Sequence, residues 1–218
     1  MSGDMLSFVL LSVSSIFIVI NPLAATLLYV SLTEGMEEVQ KRSVARVACW
    51  YALAVLLLFA IAGSLILQLF GITLEAFRIA GGLLLFGIGM EMVHAKTSRT
   101  KISATEKYES QDADDVGVMP LAIPMIAGPG AITTAIVLTN EATSSHPVGI
   151  AVVIGAILLA VGTTYLMLAN SERIMRHVGQ REYRAVNRLM GMMLIAIAVQ
   201  FVITGIKAAF PILVGVGL

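Results

Sequence analysis

The sequence predicts an all-α membrane protein with six transmembrane helices. They form two inverted three-helix repeats, with helices 1 and 4 discontinuous. Three observations carry this expectation. The 218-residue chain is 58% hydrophobic and only 13% charged, with mean hydropathy +0.91, whereas a soluble domain carries about 25% charged residues. Six apolar runs each approach the ~20 residues needed to cross a hydrocarbon core. One broken-helix signature also occurs twice, as Asn21-Pro22-Leu23-Ala24-Ala25-Thr26 and, 107 residues later, as Gly128-Pro129-Gly130-Ala131-Ile132-Thr133.

The spans are placed at 5–32, 44–69, 76–94, 118–139, 148–169 and 188–210. No Lys or Arg precedes the first, so it lacks the basic start of a secretory signal and reads as a retained span. At about 1.5 Å per residue it would run ~42 Å, more than a perpendicular crossing needs, and a break or tilt is expected at Asn21-Pro22. The second follows Lys41, Arg42 and Arg46, with Trp50 and Tyr51 as interfacial aromatics. The third opens on Arg78-Ile79-Ala80-Gly81, and Glu75 and Arg78 read as an exposed i,i+3 pair at its outer end. The fourth contains Pro120, Pro124 and Pro129, and the fifth carries no charged residue. The sixth opens on Arg188-Leu189-Met190-Gly191, 110 residues after the matching block in the third. Segments 70–75 and 140–147 are external connections.

Charge sets the orientation. Twelve of fourteen Lys and Arg residues follow the first, third and fifth spans or begin the sixth, while Arg78 and Lys207 fall on the opposite side. The positive-inside rule therefore places both termini outside the cytoplasm. Three spans per repeat invert the second copy relative to the first, so the two breaks are expected to meet near the midplane. The domain reading is a first repeat at 1–95, a polar cytoplasmic linker at 96–117 and a second, inverted repeat at 118–218.

Several function classes are disfavoured. Fourteen basic residues balance fourteen acidic ones, leaving no basic surplus for nucleic acid. Cys49 has no second thiol, so neither a disulfide nor a structural zinc site is expected. Twelve methionines without accompanying His or Cys read as packing, and no metal or cofactor is expected. His94, His146 and His177 fall at span ends or in loops, and no catalytic signature occurs, so an enzyme is not expected.

The breaks carry the chemistry. Pro22 removes the hydrogen bond to the Ile18 carbonyl, and Pro129 that to Met125. Half-helix amino termini suit a carboxylate, and the preceding carbonyl ends suit an ammonium group. Thr26 and Thr133 each lie one turn after their proline, Thr134 sits beside the second, and Asn21 adds an amide. Gly128 and Gly130 permit close approach to backbone and favour small ligands. The candidate substrate-binding set is Asn21, Pro22, Thr26, Gly128, Pro129, Gly130, Thr133, Thr134 and Gln200. The plainer alternative is a pair of ordinary proline kinks, with each threonine bonded back to its own helix. Gln200 equally suits a contact between helices, and Glu91 reads as an interfacial side chain or a proton relay.

The chain resembles the MarC family of six-span prokaryotic membrane proteins, which includes SnatA-type carriers. The likeness rests on Asn21-Pro22 with Ser31-Leu32-Thr33, on Phe77-Arg78-Ile79-Ala80-Gly81-Gly82, and on Pro120-Leu121-Ala122-Ile123-Pro124. It continues through Ala127-Gly128-Pro129-Gly130-Ala131-Ile132 and Ala196-Ile197-Ala198-Val199-Gln200. Many relatives carry a glycine and a second proline after Asn-Pro, where this chain has Ala24 and Leu27. The resemblance implies a secondary transporter of small neutral amino acids such as glycine, alanine or threonine, coupled to protons, in a prokaryotic cytoplasmic membrane. Drug efflux and a structural or regulatory role are the alternatives. The expected partners are the substrate, the bilayer and protons.

Overall fold

The computed structural model describes residues 2–94, 116–145, 148–177 and 180–210. Helix α1 (Ser2–Ile20) and α2 (Pro22–Leu32) are separated by Asn21 alone. Helices α3 (Glu38–Leu69) and α4 (Leu74–Val93) follow. Helix α5 (Gly117–Ile126) is a wide-turned segment interrupted by extended backbone at Met119 and Ile123. The remainder are α6 (Pro129–Ser145), α7 (Gly149–Ala169), the short α8 (Ser171–His177) and α9 (Gln180–Ala209). Five stretches are individually long and apolar enough to cross a membrane, α1 and α2 counting as one. The α5–α6 pair, bent by 53°, makes up to six.

Local chemistry explains most boundaries. Extended Met119 and Ile123 each precede a proline, whose ring disfavours helical angles in the residue before it. Helix α3 ends on Gly71 at φ 65°. There the Ile72 N–H reaches the Leu67 carbonyl at 2.9 Å and the Gly71 N–H reaches Gln68 at 3.0 Å, a Schellman closure that satisfies the last carbonyls. Helix α4 restarts under a Thr73 cap, whose Oγ1 accepts from the Ala76 N–H at 3.2 Å.

Three expected boundaries moved. Helix α3 begins at Glu38 rather than 44 because Lys41 is anchored by Glu38 at 3.0 Å and by Glu172 of α8 at 3.1 Å. The Tyr29 hydroxyl also donates to the Lys41 carbonyl at 2.8 Å, tying α2 to the first turn of α3. Helix α6 continues past 139 to Ser145, and α9 begins at Gln180 rather than 188. The 96–117 linker lies outside the described residues except Val116 and Gly117, which are helical.

Packing organises two bodies of side chains. A large core joins α1, α2, α3, α5, α6 and α7 through Ile20, Tyr29, Leu56, Leu121, Leu138 and Ile157. A smaller one joins α1, α4 and α9 through Ile18, Leu85, Leu194 and Ala198. Antiparallel α4 and α9 approach closely through glycines. A Cβ on Gly89 would stand 3.0 Å from the Gly191 carbonyl oxygen, and one on Gly205 would stand 3.1 Å from that of Glu75. Such backbone approach is how membrane helices gain van der Waals contact without a hydrophobic driving force. Large apolar side chains such as Leu58, Ile61, Leu65, Leu83 and Leu166 cover the exposed flanks.

Candidate functional site at the two helix interruptions

The first interruption is a single residue. Asn21 adopts φ 49° and ψ 70°, the left-handed region that asparagine tolerates better than other side-chain-bearing residues. Its backbone still joins both helices: its N–H donates to Phe17 at 3.0 Å and its carbonyl accepts from Ala25 at 3.1 Å. Its Oδ1 accepts from the Ala24 N–H at 3.2 Å, so the residue caps α2, and Pro22 occupies the first helical position where no donor is missed. Its Nδ2 donates across to Met92 Sδ of α4 at 3.8 Å.

The second interruption repeats this arrangement at Gly128-Pro129. The Gly128 carbonyl accepts from the Ile132 N–H at 3.0 Å, as Asn21 does from Ala25, and Pro129 again opens the helix. The Ala127 N–H closes α5 onto the Ala122 carbonyl at 2.8 Å. A side chain at Gly128 would collide with the Pro124 carbonyl, which is the close approach that requires glycine here.

The interruptions adjoin one another inside the protein. A Cβ on Gly130 would overlap Leu85 Cδ2 and lie 3.3 Å from Val19 Cγ1, so the first turn of α6 rests on the last turn of α1. Asn21, Pro22, Gly128 and Gly130 are buried, whereas Pro129 is exposed. Two helix carboxyl ends and two amino ends thus converge, each with about half a unit of charge. Helix α4 covers them, with Leu85 against Gly130 and Met92 against Asn21.

The predicted threonines are all buried, with distinct roles. Thr26 Oγ1 donates to the Pro22 carbonyl and Thr134 Oγ1 to the Gly130 carbonyl, each at 2.8 Å. With those protons committed, both oxygens retain acceptor capacity only. Thr133, 2% exposed, packs directly on Gly81 of α4.

Other candidates lie elsewhere. Gln200 is exposed on α9 and donates to Thr204 Oγ1 at 3.2 Å, which takes it away from the interruptions. Glu91 is also exposed, on a different face of α4 from Met92. The expectation of an exposed Glu75–Arg78 pair is corrected. Arg78 is 8% exposed, and its Nη2 lies 3.9 Å from Glu141 Oε1 of α6, because α4 turns this side chain into the α4–α6 seam. Sequence reasoning missed Leu85, Met92 and the burial of Arg78. For Arg78 the available signal was an arginine inside an apolar run, an expensive placement that marks function by default.

Among the described residues, a cavity of about 460 Å³ lies away from the interruptions. It opens at the α3–α4 turn, lined by Ser64, Gln68, Thr73, Glu75 and Asn140 among others. At the interruptions the side chains are closely packed, with Gly81 against Thr133 and Gly130 against Leu85.

Comparison with known proteins agrees along nearly the whole length. The profile described as MarC family integral membrane protein matches residues 6–210. A UPF0056 membrane protein of Methanocaldococcus jannaschii is 42% identical over 94% of this chain and 98% of its own. The UPF0056 membrane protein YvbG of Bacillus subtilis is 35% identical over 96% of this chain and 99% of its own. The corresponding figures for YhcE of Escherichia coli are 34%, 90% and 90%. No solved structure matches the chain. With both interruptions, Gly128, Gly130 and the Phe77–Gly82 block inside the matched region, the chain belongs to the MarC family of integral membrane proteins.

Proposed function

We propose that this protein is a secondary transporter of small neutral amino acids, with its substrate site at the adjoining interruptions of α1–α2 and α5–α6. The observation that carries the reading is the repeated residue-proline start of a helix, with Asn21, Pro22 and Gly128 buried, brought together where Gly130 rests on Val19. Paired discontinuous helices at corresponding positions of two halves are how many carriers build a binding site. The substrate carboxylate meets first-turn N–H groups of α2 and α6 and the Asn21 amide, while its ammonium meets carbonyls at the ends of α1 and α5. Thr26 and Thr134 serve the ammonium as acceptors, their own protons being spent on back-bonds. Close packing of Gly81 on Thr133 and of Gly130 on Leu85 leaves little room for a bulky drug.

Two inverted halves account for the antiparallel α4–α9 pair, which in alternating access moves relative to the larger core. Orientation follows charge. The Lys41–Glu172 ion pair gathers the ends bearing Lys41, Arg42 and Arg173, whereas Gly205 packs on Glu75 and carries Lys207 to the opposite end. The basic end faces the cytoplasm, and both termini lie outside. Transport involves no catalysis by the chain, and the proton gradient drives it.

Reconstituted protein tests this directly. Liposomes should accumulate or exchange labelled glycine, alanine or threonine, with accumulation rising when a pH gradient is imposed. Absence of flux for all three, together with no amino-acid-dependent rise in Tm, refutes the reading. Flux that ignores the gradient refutes only the coupling.

A further inference from the structure

A second polar cluster stands at the α3–α4 turn, about ten residues along α6 from Gly130 and therefore roughly 15 Å away. The cavity there is lined by Glu75 and by Asn140, whose Nδ2 donates to Ser64 Oγ at 3.3 Å. Arg78 lies one turn beyond Glu75, and Thr139 and Glu141 flank Asn140. Among the described residues, the buried Arg78 Nε has no hydrogen-bond partner, and neither has the buried Thr139 Oγ1. Arg78 Nη2 is 3.9 Å from Glu141 Oε1, attracted but beyond hydrogen-bond length.

The Nε–H and Nη2–H of a guanidinium project from one edge of its plane. That edge forms the fork that grips a carboxylate through two parallel hydrogen bonds. Here the buried Nε is unfilled, a costly state for a cationic group, and Glu141 stands 3.9 Å from Nη2 without closing on it. We propose that the Nε–Nη2 edge of Arg78 is a carboxylate-binding subsite for a small amino acid. The subsite is separate from the helix interruptions, and Glu75 and Glu141 supply negative charge for the ammonium. Glu141 competes with the ligand for the fork and retreats when it binds. On the transporter reading above, on which this clause alone rests, the subsite loads substrate from the α3–α4 side.

Thermal unfolding of the purified full chain tests the subsite, with acetate, alanine and ethylamine as probes at constant ionic strength and chloride as the control. Acetate and alanine should raise Tm, and ethylamine should not. Arg78→Lys keeps the charge but loses the fork, and should weaken acetate at least tenfold. Glu141→Gln should strengthen it severalfold by removing the competitor. Should Arg78→Lys fail to fold, the strengthening by Glu141→Gln carries the test. Equal acetate protection in wild type and Glu141→Gln, or none in wild type, overturns the subsite. Uptake without such protection also overturns it while leaving the transporter reading standing. Protection by acetate without uptake supports the subsite and counts against transport.

Discussion

Asn21 combines a backbone role and a side-chain role, and substitutions can separate them. At φ 49° the residue occupies left-handed space, which costs an ordinary L-residue roughly 1–2 kcal/mol. Its Oδ1 also caps the Ala24 N–H, a contribution of about 1 kcal/mol that glycine forfeits only by a few tenths. Asn21→Ala therefore loses about 2 kcal/mol, which for a chain of this length lowers Tm by roughly 4–8 °C. Asn21→Gly adopts the same backbone without strain and should stay within about 2 °C of wild type. Both variants remove the amide donor that now rests on Met92 Sδ. A hydrogen bond to a charged group is worth about 1.5–3 kcal/mol, so uptake of labelled alanine should fall at least tenfold in both. Asn21→Asp keeps cap and backbone but presents an acceptor to the substrate carboxylate, and should fold normally while failing to transport. The assays are unfolding in detergent and initial uptake in liposomes. Uptake by Asn21→Gly within twofold of wild type would reduce Asn21 to a local cap. Equal stability of the alanine and glycine variants would refute the strain argument.

Other outcomes follow from contacts around the site. Gly81→Ala drives a methyl into Thr133 Cγ2 and within 2.7 Å of its Cβ, an overpacking expected to cost about 1–3 kcal/mol. Adding Thr133→Ser removes the colliding methyl and should recover at least half of the lost Tm; no recovery would mean α4 and α6 do not meet there. Tyr29→Phe removes the hydroxyl that donates to the Lys41 carbonyl at 2.8 Å, so Tm should drop by about 2–4 °C. An unchanged Tm would remove that tie between α2 and α3. Gln200→Leu, on the exposed side of α9, should leave uptake within twofold of wild type, and a larger loss would bring Gln200 back to the pathway.

Much of the fold was legible because lipid leaves few choices. A backbone that must satisfy its own hydrogen bonds shows itself as long apolar helical runs, so all six predicted runs coincide with helices or with the bent α5–α6 pair. Proline chemistry is equally local. Asn21-Pro22 and Gly128-Pro129 could be read as interruptions because the lost donor and the restricted preceding residue belong to the dipeptide itself. The early start of α3 was less visible, since Lys41 is held by Glu172, a residue 131 positions away.

By itself, then, the sequence determined the all-helical membrane class and the positions of the apolar helical runs. These properties are set by composition, periodicity and the covalent geometry of proline and glycine within a few residues. Tertiary structure alone decided which side chains share a space. It set Met92 beside Asn21 and Leu85 beside Gly130, turned Arg78 inward toward Glu141, and left Gln200 and Glu91 on exposed flanks. The reason is geometric. Which face of α4 meets α1, α6 and α9 depends on helix rotation, and that rotation is set jointly by packing partners in three other helices, beyond what local pattern encodes.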